Sequence, residues 1–169
     1  MNDWLINEAM LFCAKFFVDS CHNHGKPVYL HSLRIAHQLY ELGYQDKIIV
    51  GAILHDLLED TDCNKTDIAE KFGQDVADLV DCLSFNPAIP DKLERSKLSI
   101  DTCIDYGKDA LVIKCVDVAD NSNFFEYASE EDKVYLREKY KYLFQICETY
   151  IPEESAFGFY QKAVGKYIF

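Results

Sequence analysis

The chain has 169 residues, 49% of them hydrophobic, and a formal charge of −12 from 29 acidic against 17 basic side chains. That length suits one domain with a single sizeable core, and that composition excludes disorder for the bulk of the chain. Without a dense Lys/Arg block, nucleic acid and anionic membrane surfaces are poor partners, because their phosphates are repelled overall. A small anionic substrate stays open, since a metal ion and a few local cations overcome a distant net charge.

The pattern along the chain is helical nearly throughout. Leu5, Ala9, Phe12 and Phe16 repeat at helical spacing through the first segment, which also carries Asp3, Glu8 and Lys15. That makes it an amphipathic helix, with neither the basic start of a signal peptide nor the length of a membrane span. A loop around Asn23-His24-Gly25-Lys26-Pro27 precedes a helix over Tyr29 to Leu42, closed by Gly43, and a third helix over Asp46 to Asp60. Asn64 and Asp67 start a pair of short helices, 66–72 and 74–84, divided by Gly73. Pro87 and Pro90 mark a loop before a helix at 91–105. Gly107 separates that from a segment at 109–128, and Ser129-Glu130-Glu131-Asp132 opens a long helix to Tyr150. Pro152 restarts the chain for a last helix ending at Ile168. No internal repeat, low-complexity tract or interdomain linker interrupts this order. The expected fold is all-α, a compact multi-helix bundle over residues 1–169 as one domain.

The seven cysteines (Cys13, Cys21, Cys63, Cys82, Cys103, Cys115 and Cys147) are odd in number, form no Cys-x-x-Cys and fall mostly in apolar stretches. They read as free core thiols in a reducing, cytoplasmic compartment. The tyrosines and Phe144 between 135 and 150 read as packing or a protomer contact, and Lys133, Arg137, Lys139 and Lys141 as a solvated face.

Polar groups interrupt apolar runs in two places. His55-Asp56, followed by Glu59-Asp60, sits within Ile48 to Leu58. An imidazole and three carboxylates are costly to bury there unless something pairs with them, and a divalent ion offsets that cost. On a helix, residues 55 and 56 project about 100° apart and can grip one ion, with Glu59 and Asp60 one turn on. In Val112 to Asn121, Asp117 and Asn121 lie one turn apart with Lys114 one turn before. His31 stands near the start of the second helix, with Arg34 on the same face and His37 on another. Two histidines and two carboxylates form a mixed N/O ligand set suited to Mn²⁺, Fe²⁺ or Zn²⁺.

The order His31 … His55-Asp56 … Asp117 resembles the HD superfamily of metal-dependent phosphohydrolases, and more narrowly the hydrolase domain of RelA/SpoT proteins and small alarmone hydrolases. Gly25-Lys26-Pro27-Val28-Tyr29-Leu30-His31 is similar to the family's Gly-Glu-Pro-Tyr-Ile-x-His. Ala52 to Thr61 is similar to its Ala-Leu-Leu-His-Asp-Thr-Val-Glu-Asp-Thr, and Ile113 to Asn121 to its Ile-Lys-Leu-Ala-Asp-Arg-Leu-His-Asn. Phe72-Gly73, Leu79-Val80-Asp81 and Lys92-Leu93-Glu94-Arg95 keep the same register. Lys114 and Asn121 make Asp117, rather than Asp120, the match to the metal-binding Asp.

The resemblance implies His31, His55, Asp56 and Asp117 as ligands of one divalent ion, Mn²⁺, and Glu59 and Asp60 as catalytic groups. Asn121, Arg34, Lys114 and His22 are the implied contacts to a small nucleotide. The implied reaction is release of pyrophosphate from the 3′-diphosphate of (p)ppGpp or a related nucleotide. Departures cluster at the base-contacting positions: His22 and Asn23 replace an Arg-Lys pair, Val28 a Tyr, and Phe124 a Thr, while Ser32 follows His31 where the family has Pro. Two alternatives therefore stay open, an HD nucleotidase acting on 5′-nucleotides and a non-catalytic nucleotide-binding module.

Overall fold

The computed structural model describes residues 2–19 and 28–169, and every regular element among them is helical. The fold class is all-α. Among the described residues no helix is long and apolar enough to cross a membrane. His22, His24 and Cys21 lie outside the described residues. The chain folds as two units, Met1–Ser84 and Phe85–Phe169.

The first unit contains α1 (Asp3–Asp19), α2 (Val28–Glu41), α3 (Asp46–Leu54), α4 (Leu57–Asp60), α5 (Lys65–Phe72) and α6 (Gln74–Leu83). Its centre is α3, which packs against α1, α2 and α6. The reason is compositional: Ile48 through Leu54 is apolar on every side, and all seven residues are buried. α2 ends in a Schellman turn, in which the Tyr44 N–H donates to the Leu39 carbonyl at 3.1 Å and the Gly43 N–H to Tyr40 at 3.0 Å. Gly43 adopts φ +79° there, a conformation open to glycine at little cost. Asn64 and Asp67 form a reciprocal capping box at the start of α5. Leu54 is fully buried, so Leu54→Ala is expected to cost about 2–5 kcal/mol through the lost burial and the cavity left behind. Urea denaturation monitored by circular dichroism measures that loss.

The continuous third helix expected from Asp46 to Asp60 does not form. α3 stops at Leu54, His55 and Asp56 make a turn, and α4 begins at Leu57. Asp56 sits at φ −89°, ψ −4°, in the bridge region. The Ala52 carbonyl, which an unbroken helix would offer to the Asp56 N–H, receives the His55 imidazole Nδ1 at 2.8 Å. The break thus falls on the two residues with the most distinctive chemistry.

The second unit contains α7 (Lys92–Tyr106), α8 (Lys108–Asn121), a 3₁₀ segment (Ser122–Tyr127), α9 (Glu130–Tyr150) and α10 (Ser155–Ile168). α8 is its core element, packed by α7, α9 and α10 and buried from Ala110 to Asp120. Asp91 caps α7 through the Glu94 N–H at 2.7 Å, and Ser129 caps α9 through the Asp132 N–H at 3.1 Å. The single segment expected over 109–128 is divided after Asn121. There the Ser122 hydroxyl donates to the Ala119 carbonyl at 2.7 Å, and its N–H is shared between Val118 and Asp120.

Candidate metal centre

α2 turns Ile35 and Leu39 into the core of the first unit, and the same i, i+4, i+8 spacing buries His31 completely. The turn after α3 brings His55, 3% exposed, to the same place. The two imidazoles meet edge-on with ring centroids 5.3 Å apart. His55 Nε2 lies 3.0 Å from Asp56 Oδ1, and His31 Nε2 lies 4.0 Å from Asp56 Oδ2.

The tautomer follows from the neighbours. A carbonyl only accepts, so the His55 Nδ1 facing Ala52 carries a proton. In the neutral ring, Nε2 then turns a lone pair toward the Asp56 carboxylate. Two lone pairs at that distance require a cation between them, either a proton on Nε2 or a metal ion. A histidine oriented through its other nitrogen by a backbone carbonyl is the usual way that proteins hold an imidazole for a metal. Two nitrogens and a carboxylate, all largely excluded from water, therefore fit a divalent ion.

In the second unit, Asp117 is held from both sides along α8. Asn121 Nδ2 donates to Asp117 Oδ1 at 2.6 Å, and Lys114 Nζ donates to Oδ2 at 3.5 Å. Lys114 and Asp117 are 8% and 7% exposed. Lys114 and Asn121, read in the sequence as nucleotide contacts, here fix the orientation of the carboxylate one turn from each.

Glu59 and Asp60 are half-buried on α4, whose first turn is tied back by their N–H groups donating to the Asp56 carbonyl at 3.3 and 2.9 Å. This fastens the expected catalytic pair to the backbone of an expected ligand. Arg34 is half-buried on α2, three residues beyond His31.

One neighbour had no signal in the sequence. Cys13 of α1 donates its thiol to the Ile53 carbonyl at 3.2 Å. Burial pushes that thiol well above its ordinary range, and the nearby Asp56 carboxylate pushes it further. Burial likewise pushes Cys63 up to about 12, aided by Asp67. The six cysteines among the described residues are all free and buried. At pH 8 these six are expected to resist iodoacetamide in the native protein and to react only after unfolding, as peptide mapping by mass spectrometry will show.

Residues 9–97 match the family model of the HD domain. A guanosine-3′,5′-bis(diphosphate) 3′-pyrophosphohydrolase of Aquifex aeolicus is 41% identical over 73 residues, covering 43% of this chain and 10% of that protein. The fruit-fly guanosine-3′,5′-bis(diphosphate) 3′-pyrophosphohydrolase MESH1 (Drosophila melanogaster) is 35% identical over 74 residues, covering 44% of this chain and 41% of that protein. The alignments thus span between about a tenth and two fifths of the length of these two relatives. A solved structure of a metazoan SpoT ortholog, described as hydrolysing ppGpp, aligns with TM-score 0.72 at 21% identity, over 95% of this chain and 96% of that one. That likeness establishes the fold. With a matching segment that takes in more than half of its residues, His31 and the His55-Asp56 turn included, this chain belongs to the HD domain family.

Proposed function

We propose that the protein is a metal-dependent nucleotide 3′-pyrophosphohydrolase, its two units acting as one domain. His31, His55, Asp56 and Asp117 hold one divalent ion, Mn²⁺. The observation that carries this reading is the His31–His55–Asp56 cluster, in which a buried, carbonyl-oriented imidazole faces a carboxylate at 3.0 Å. Support for Asp117 as the fourth ligand comes from its place in the Lys114–Asp117–Asn121 motif and from the grip of both neighbours on its carboxylate. The fold likeness over nearly the whole chain supports one working domain. The named activities of the Aquifex and fly relatives support the 3′-diphosphate as substrate. A reducing, cytoplasmic setting belongs to the same proposal.

Bound there, a divalent ion polarises a phosphoryl oxygen and lowers the pKa of a coordinated water. The chain's own residues do the rest. Asn121 and Lys114 keep the Asp117 carboxylate from rotating, so a ligand oxygen is in place before substrate arrives. Glu59 and Asp60 take the proton of the attacking water and return one to the departing oxygen. Arg34 supplies a cation for a phosphate.

Base recognition differs from the family pattern. Val28 is buried and Tyr29 donates its hydroxyl to the Met10 carbonyl at 3.4 Å, which leaves little at these positions to read a base edge. Phe124 is 44% exposed and offers a ring face without a hydrogen-bonding group. These features keep a second reading, hydrolysis of 5′-nucleotides, in play. The test is one Mn²⁺-dependent panel of ppGpp, pppGpp, an adenine 3′-diphosphate analogue, NADPH and 5′-dNMPs, with products identified by mass. Pyrophosphate from a 3′-diphosphate is the expected result, whichever base is preferred. Orthophosphate from 5′-nucleotides alone would transfer the protein to the second reading, and no turnover at all to a binding module.

A further inference from the structure

The second unit carries a recess of about 530 Å³ between the 3₁₀ segment, α9 and α10. Lys133, Arg137 and Lys141 line it from α9 and Lys166 from α10, against Glu126 and Glu130. Four cations against two carboxylates is a marked local reversal in a chain of net charge −12. The sequence suggested a solvated basic face. Three of those side chains, Lys133, Arg137 and Lys141, also line this recess.

Its lining is also aromatic. Phe125 and Tyr167 stack with centroids 4.0 Å apart and planes 28° from parallel. The Arg137 guanidinium lies 5.2 Å over the Phe125 ring, and Lys166 Nζ lies 4.6 Å over Tyr167. Phe125 is 2% exposed, so the platform is anchored in the core. A guanidinium held by its face keeps its in-plane N–H groups for an anion. Lys133, itself largely buried, pairs with the exposed Glu130 at 2.9 Å, and the half-exposed Lys141 pairs with Glu138 at 3.0 Å, single ion pairs that a more highly charged anion can displace. From Lys133 to Lys141 the helix advances about 12 Å, longer than one phosphate and suited to a chain of them.

We propose that this recess is an anion site for a polyphosphate group, inorganic or nucleoside-borne, and that binding there requires no divalent ion. Arg137 and Lys166 are its anchors, with Lys133 and Lys141 extending it along α9.

Isothermal titration of the metal-free full chain with inorganic tripolyphosphate, and separately with ATP, tests this. One site per chain is expected for both ligands. Equal affinities identify the phosphates as the recognised group; tighter ATP binding adds a nucleoside contact on the same site. Arg137→Glu with Lys166→Glu should weaken binding at least about tenfold, the scale of two lost charge-assisted contacts. Arg137→Gln with Lys166→Gln should fall between the two. If the reversal variant does not fold, Lys141→Glu, at an exposed position, must still weaken binding and reduce its salt dependence. His55→Ala should change nothing. No binding by the wild-type chain, unchanged affinity in the charge variants, or binding that needs Mn²⁺ or is lost with His55 would overturn the site. None of these readings depends on turnover, so failure here is separable from failure of the proposed hydrolase activity.

Discussion

Asp56→Ala should purify with its divalent metal reduced by more than about 100-fold in affinity, above the loss that follows removal of a mere outer partner of a ligand. Pyrophosphate release should fall with it. The variant removes the Asp56 carboxylate that lies 4.0 Å from His31 Nε2 and 3.0 Å from His55 Nε2, so of the proposed ligands in the first unit only two nitrogens remain. Asp117→Asn is the better companion than Asp117→Ala. Lys114 is buried against Asp117, and truncation would take a carboxylate from beside that ammonium and destabilise the fold. The amide keeps an oxygen for Lys114 and turns its NH2 toward Asn121, whose own amide can flip to accept from it, while loss of the charge weakens metal binding. Metal analysis on protein purified without chelator, beside a thermal melt of each variant, separates ligand loss from misfolding. Equal metal content in wild type and Asp56→Ala would remove the ligand assignment.

Glu59→Gln and Asp60→Asn are expected to do the opposite: keep the metal and lose about 10²-fold or more in turnover, the usual scale of a positioned acid or base. Both residues sit on the four-residue α4, beyond the turn that carries Asp56, and both N–H groups are spent on the Asp56 carbonyl. An amide fills the same space without changing that backbone anchoring. Kinetics at saturating Mn²⁺, with bound metal measured in the same samples, gives the answer; full activity in both variants would sink the catalytic assignment.

Helix existence was legible because the signals were local. Asn64 with Asp67, and Ser129 with Asp132, announced helix starts by their side-chain chemistry, and both caps form. The apolar run around α3 announced a buried helix, and its seven residues are buried. What the periodicity could not report was where the helix breaks. The interruption at His55 and Asp56 depends on the imidazole taking the Ala52 carbonyl, a choice between hydrogen-bond partners that hydrophobic spacing does not encode. The same holds after Asn121, where a serine hydroxyl takes a helix carbonyl.

At the site, chain order singled out His31, His55 and Asp56, and the fold of the first unit brings the three together. The motif on α8 put Lys114 and Asn121 at helical spacing from Asp117 but could not say that both hold its carboxylate. Cys13 was invisible because its closeness to Asp56 is purely tertiary. The basic stripe on α9 looked solvated because Phe125 and Tyr167, the rings beneath Arg137 and Lys166, are 42 residues apart in the chain.

The most direct measurement is a Mn²⁺ titration of the metal-free chain, with bound metal counted by electron paramagnetic resonance and the products of ppGpp followed by mass in the same samples. The proposed chemistry predicts no release without metal, pyrophosphate release rising in proportion to bound Mn²⁺, and a plateau at one ion per chain. Release from the metal-free protein, or orthophosphate as the sole product at full occupancy, would contradict it.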